Sequence, residues 1–212
     1  MTDVLFNNSS AREHFMLDLQ ACYVSAPVRK SHVLSVPFGD GEIDAMEGKF
    51  PVYEHRILTL VFTMLSAKQA IGRILSELEG KKYQIITPDQ PNYYWEGVIR
   101  VSSCGQRDGD TVTMMGNVFP WRMSLQTVSK TWGVHNDWAA GSLYNNGMRP
   151  VVPEMTVLDN PVTVKLPPQY TQRTFDPGIY LVSDYVIPPN GGRRGLLYMG
   201  GSLKFEYREA IL

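Results

Sequence analysis

The residues of this sequence that could do chemistry are few and scattered. Four histidines, His14, His32, His55 and His135, include no pair at i, i+4 of the kind that sets two imidazoles on one helical face to hold zinc. No metal or other cofactor is therefore expected. Cys22 and Cys104 lie far apart and neither belongs to a C-x-x-C pair, which leaves a zinc ribbon or a disulfide framework unsupported. Cys104 stands between Ser103 and Gly105 without any pattern that marks a nucleophile, and neither a G-x-S-x-G elbow nor a P-loop occurs. Asp40-Gly41-Glu42-Ile43-Asp44 offers acidic side chains at alternate positions, as a calcium loop does. Its sixth and twelfth positions are Ala45 and Pro51, where an EF-hand needs glycine and a bidentate glutamate. The segment reads instead as a hairpin tip or exposed extension. Carboxylate pairs for glycoside hydrolysis can be drawn in any β protein, and sequence spacing does not establish the separation of roughly 5–10 Å that they need. No catalytic residue is assigned, and the chain is expected not to be an enzyme.

Binding chemistry is no more sharply marked. Arg193 and Arg194 follow Pro188-Pro189-Asn190-Gly191-Gly192, so they open a strand beyond a turn, where a basic pair is ordinarily a solvated face. Sugar sites stack rings on apolar sugar faces, but Trp95, Trp121, Trp132 and Trp138 all lie before or within Trp132–Gly141, a stretch that reads as a connector. A sugar site C-terminal to that connector would have to use tyrosines such as Tyr170, Tyr185 or Tyr198. Tyr93-Tyr94-Trp95 opens a strand, and alternation sends its rings to opposite faces, which suits core filling more than an inter-subunit contact.

These residues must be positioned by a chain of 212 residues, enough for one large domain or two small ones. With 43% hydrophobic and 19% charged residues it has a globular rather than a disordered composition. Lys plus Arg number 20 against 21 Asp plus Glu, so no global positive field draws a phosphate backbone, and a dedicated nucleic-acid binder is disfavoured. The longest apolar run, Leu58 to Leu65, is too short for a membrane span and is interrupted by Thr63. Asn7, Asn8, Ser9, Arg12, Glu13 and Asp18 stand where a signal peptide would carry an apolar core.

One helix is predicted, Ser66 to Glu79, with Ala67, Ala70, Ile71, Ile74, Leu75 and Leu78 gathered on one face, a capping-box spacing at Ser66 and Gln69, and Gly80 beyond its end. Most of the rest alternates with period two. Arg56–Met64 reads as a central strand covered on both faces, and Lys82–Ile86, Tyr94–Ser102 and Asp110–Met115 as further strands. From about Thr131 short strands are split by Pro, Gly and Asn: Val151–Leu158, Val162–Leu166, Gly178–Val182, Arg194–Met199 and Leu203–Arg208. Their spacing suits a sandwich or jelly roll. The chain is thus mostly β, with a first domain at 1–130 and a second, all-β domain at 131–212. The polar, glycine-bearing stretch from Asp40 to Phe50 is the best candidate for a projecting hairpin that reaches a neighbouring subunit.

Taken in order, several stretches resemble the distal tail protein of long-tailed, non-contractile bacteriophages, the baseplate hub subunit. Val36-Pro37-Phe38-Gly39-Asp40-Gly41-Glu42-Ile43-Asp44 is similar to the family's Val-Pro-Gly-x-Asp-Gly-x-Leu/Ile-Asp segment, with Phe38 inserted. Tyr53-Glu54-His55-Arg56-Ile57 resembles the entry to its central strand. The helix ending at Gly80-Lys81, Pro91-Asn92-Tyr93-Tyr94-Trp95-Glu96-Gly97, Phe119-Pro120-Trp121-Arg122 and the closing Gly200-Gly201-Ser202-Leu203-Lys204-Phe205-Glu206-Tyr207-Arg208-Glu209 come in the family's order. The resemblance implies an N-terminal ring-forming β-barrel or sandwich-like domain with one helix and a C-terminal galectin-like β-sandwich. It further implies a homohexameric ring at the distal end of a tail, in the virion and assembled in the host cytoplasm, with tail tube protein and tail tip or hub protein as partners. DNA is expected to pass without specific binding, and no insertion into a membrane is expected. The strand-rich first domain then needs its edges covered by neighbours, for which Asp40, Gly41, Glu42, Ile43, Asp44, Met46, Lys49 and Phe50 are the candidate interface residues. The competing reading is a carbohydrate-binding module whose second domain recognises a bacterial surface glycan.

Overall fold

The computed structural model describes residues 3–30, 33–35, 42–44, 51–104 and 110–212, with the backbone alone at 33–35, 42–44, 67 and 68. The chain divides into two compact units, Met1–Arg122 with Leu212, and Met123–Ile211. The division falls earlier than residue 130 because the strand Val128–Trp132 pairs along its length with Leu203–Tyr207 and so belongs to the second unit.

In the first unit the elements run β1 (Leu5–Phe6), β2 (Ser9–Ser10), α1 (Ala11–Phe15), β3 (Leu17–Val24), β4 (Val33–Ser35), β5 (Glu42–Asp44), β6 (Arg56–Met64), α2 (Ala67–Arg73) with a π-helical turn at Ile74–Leu78, β7 (Lys82–Ile86), β8 (Tyr93–Cys104) and β9 (Thr111–Val118). The main sheet has the order β2-β1-β7-β8-β9-β6-β3. β6 has the predicted limits but is not central: it lies between β9 and the edge strand β3. Leu58, Leu60, Phe62 and Met64 are buried, and they pack with Phe6, Phe15, Leu17, Ile85, Trp95, Ile99 and Met114 beneath the helices. Its other face is not covered as the alternation suggested. Ile57 is 43% exposed, as is Met115 to a similar extent two strand positions away. Gly97 is required where it lies: a Cβ there would come within 2.4 Å of the Asn117 carbonyl oxygen and 2.7 Å of Val118 Cα.

The predicted helix forms but changes register. Ala70, Ile74 and Leu78 are buried, whereas Leu75 is 62% exposed. The Glu79 amide donates to the Ile74 carbonyl, an i→i+5 bond that widens the last turn and swings Leu75 out of the packing stripe. Ser66 makes no side-chain cap bond, so the capping box is not formed. Gly80 takes the left-handed φ of +72° that stops the helix. The five-residue α1, absent from the sequence reading, is capped by Ser10 accepting from the Glu13 amide at 2.9 Å.

The second unit comprises β10 (Arg122–Ser124, at the division), β11 (Val128–Trp132), β12 (His135–Asn145), β13 (Glu154–Val157), β14 (Val162–Leu166), β15 (Thr171–Phe175), β16 (Gly178–Leu181), β17 (Gly192–Gly200), β18 (Leu203–Tyr207) and β19 (Ala210–Ile211). Two four-stranded antiparallel sheets, β11-β18-β13-β16 and β12-β17-β14-β15, enclose a core of Leu143, Met155, Val164, Tyr185, Leu196, Tyr198 and Phe205. This is the expected sandwich. The expected connector Trp132–Gly141 is instead the end of β11 and most of β12, joined through Gly133 and Val134. Gly141 is small because the Trp132 indole lies against it: a Cβ would sit 3.0 Å from that ring.

Candidate assembly surfaces

The segment between β3 and β6 is the most unusual feature of the first unit. β3 and β6 are antiparallel neighbours that could be joined by a short hairpin loop, for which 2–5 residues suffice. Here 31 residues separate Val24 from Arg56. Val24 pairs with Leu58, and the same register continues to an Arg29–Tyr53 bridge, closed by the Lys30 amide on Val52 O at 2.8 Å and the Glu54 amide on Val28 O at 2.9 Å. Beyond that stem β4 and β5 form a separate two-stranded ribbon, with Val33 opposite Asp44, Leu34 opposite Ile43 and Ser35 opposite Glu42. Glu42, Ile43 and Asp44 thus occupy one strand of this ribbon. Asp40, Gly41, Met46, Lys49 and Phe50 lie outside the described residues, as does His32.

At the root of this excursion Trp95, 1% exposed, is flanked by two guanidinium groups, Arg56 at 5.1 Å and Arg122 at 4.8 Å from its ring. Arg56 also donates from Nε to Ser25 O at 2.7 Å. Its pKa is lowered by burial and then by the Arg122 charge. Arg122 pairs with Asp89 at 2.6 Å. Burial opposes ionisation of Asp89, but hydrogen bonds from Thr87 and Arg122, and the Arg122 charge, outweigh it and hold the carboxyl below its usual range. The Tyr53 ring meets the Trp121 ring edge-on at 5.3 Å. The segments around Tyr53, Trp95 and Trp121, separated in sequence, therefore converge on one cation–aromatic cluster that anchors both ends of the stem. Composition and spacing did not reveal this cluster, since no periodic pattern joins them.

A second surface is the open face of the main sheet. Ile57, Val98, Arg100, Ser102, Met115 and Asn117 line a shallow depression of about 500 Å³, and Tyr23 is 64% exposed one strand away. Such a half-apolar face is uncommon on a soluble monomer.

The remaining candidate residues stay dispersed. His14 Nε2 lies 2.8 Å from Glu77 Oε2, His55 packs against Phe119 and His135 against Tyr198. Among the described residues no three of His, Cys, Asp and Glu gather closely enough to hold a metal ion, and no helix is long and apolar enough to cross a membrane. Both cysteines are free. Burial, followed by the Asp89 charge, pushes the Cys22 thiol up to about 11.

No family model matches the sequence, and no curated protein matches it. The fold is nevertheless a known one, that of a phage hub protein. The chain is similar to the crystal structure of the SPP1 Dit (gp 19.1) protein, with a TM-score of 0.71, 13% sequence identity, and 99% of each chain covered. That protein is described as a paradigm of the hub adsorption apparatus in phages that infect Gram-positive bacteria.

Proposed function

We propose that this protein is a structural subunit of a phage tail: a distal tail protein that closes into a homohexameric ring and joins the tail tube to the tip or baseplate. The observation that carries the reading is the two-unit β fold shared over the whole chain with the SPP1 hub protein. Two features of the first unit support assembly. The chain between β3 and β6 is far longer than a hairpin loop, and its described strands β4 and β5 pair with each other, which suits the segment to lie on a neighbour. The half-apolar open face of the main sheet leaves area that a ring contact would cover. Closure under rotational symmetry then limits growth that exposed edges would otherwise invite. Its work in this reading is surface complementarity rather than catalysis, with the tail tube and tip proteins as axial partners and the virion tail as its place. Immunogold labelling with antibodies against the chain tests this: label confined to the distal end of tails is expected, and label on capsids or on no particle at all would exclude it.

A further inference from the structure

We infer that β16, at one edge of the β11-β18-β13-β16 sheet, docks an extended polypeptide segment that adds a further strand to the sheet and carries apolar side chains and a lysine or arginine on its outward face. The two sheets of the second unit leave four edge strands, β11, β16, β12 and β15. Exposed edges are ordinarily blocked against pairing by inward-pointing charges, bulges or covering groups. Three of the four are blocked in this way. On β11, Lys130 stands opposite buried Phe205 and so on the inward side. β12 slips register between His135 and Ala139, and the Trp132 indole lies against its Gly141. On β15, Arg173 stands opposite buried Val164, its charge held by Asp184 at 2.8 Å.

β16 carries no such device. Its inward positions are Gly178 and Tyr180, opposite Val157 and Met155, and the Tyr180 ring packs on Phe175 at 4.9 Å. Its outward side chains, Ile179 and Leu181, are 68% and 71% exposed, the two most exposed large hydrophobic side chains among the described residues. An unblocked edge lined with apolar side chains suits strand addition, in which backbone bonds hold the incoming segment and alternate side chains select it.

Area and charge identify the occupant. Four residues of edge and two side chains offer far less than the roughly 800 Å² that each partner buries in a stable interface between globular proteins, so the occupant is a short segment rather than a second copy of this chain. In the row of Leu181, Glu154 stands beside it and Glu206 beyond. Glu206 pairs with Lys204 at 2.9 Å, whereas Glu154 is exposed and makes no ion pair among the described residues. Arg149 and Arg208, which line a depression with Leu181, are half-buried, and Arg208 donates to the carbonyls of Ser124 and Leu125 at 3.0 Å. An added strand lies about 5 Å beyond β16 and about 10 Å from β13. A lysine or arginine on its outward face spans that distance with its stem across Leu181 and its charge at Glu154. The inference does not rest on the assignment to a tail, and its failure would leave that assignment intact.

The full chain is titrated into the fluorescein-labelled peptide Ser-Val-Thr-Lys-Thr-Val-Ser, which reads alike in both directions and sets valine, lysine and valine on one face, and anisotropy is followed at low salt. Saturable binding with Kd below about 1 mM is expected. Glutamate in place of the lysine should weaken it at least about fivefold, and proline in place of both threonines should abolish it, since the ladder loses donors. Ile179→Lys and Leu181→Lys should each weaken it at least about tenfold by blocking the edge, with the melting temperature unchanged because both side chains are exposed. Glu154→Lys should reverse the preference between the lysine and glutamate peptides. No binding of the lysine peptide, equal binding of the proline peptide, full affinity in the folded Ile179→Lys and Leu181→Lys variants, or an unchanged preference in Glu154→Lys would overturn the inference. Self-association of the full chain that Leu181→Lys abolishes would assign the edge to a second copy and overturn it too.

Discussion

Leu75→Asp and Leu78→Asp place the same charge three residues apart on one short helix, and the structure assigns them opposite costs. Leu78 is fully buried. An aspartate there would bring an unpaired carboxylate into the core of the first unit, a loss of several kcal/mol, and even Leu78→Ala should cost about 2–5 kcal/mol in lost transfer and cavity energy. A loss of about 3 kcal/mol lowers the melting temperature of a domain of this size by roughly 10 °C. Leu75 is 62% exposed, so Leu75→Asp forfeits little burial and costs mainly helix propensity, about 0.5 kcal/mol. An uninterrupted α-helix would give another ranking, because Leu75 would then share the stripe of Ile71 and Leu78. Thermal unfolding followed by circular dichroism separates the two. Leu75→Asp should melt within a few degrees of the parent, and Leu78→Asp should fall far below it or fail to fold. Equal, large losses at both positions would show that the widened turn at Ile74–Leu78 is wrong.

Replacing Gly41 to Lys49 by a short turn should weaken oligomerisation in analytical ultracentrifugation while leaving β content nearly unchanged, because among the described residues β4 and β5 pair only with each other; loss of fold would make the segment core instead. Cys22, with its pKa raised to about 11, should be about one part in a thousand thiolate at pH 8, and only the thiolate reacts. A thiol reagent should therefore label exposed Cys104 first and Cys22 only on unfolding or as the pH approaches 11, and simultaneous labelling at pH 8 would contradict this. Labelled double-stranded DNA should show no submicromolar affinity by fluorescence anisotropy between about 50 and 200 mM salt, the range over which phosphate-driven binding collapses.

Much of the fold was legible where burial is one-sided. β6, β7 and β14 have their predicted limits, since each sets inward apolar residues at every second position over all or part of its length. The failures have local causes. β3 escaped because a bulge between Leu19 and Ala21 changes the parity of its inward residues, from Leu17 and Leu19 to Cys22 and Val24, and no strict alternation survives. β12 read as a connector because its inward positions Ala139 and Gly141 are small and its outward ones include an exposed tryptophan. Leu75 was misplaced because a wide helical turn has no signature in a 3.6-residue period. Of the candidate interface, the alternating acids Glu42 and Asp44 lie on a strand paired with β4, while the glycines that suggested a projecting hairpin lie outside the described residues. The Trp95 cluster could not be read from the sequence, because it joins residues from distant strands whose only common property is where the sheet register brings them.

The central claim is assembly into a closed ring, and native mass spectrometry of the purified full chain at tens of micromolar tests it most directly. A single dominant species of six chains, dissociating to monomers without a ladder of larger oligomers, is the predicted result. A monomer at every concentration, or an open series of oligomers without a closed end point, would contradict it.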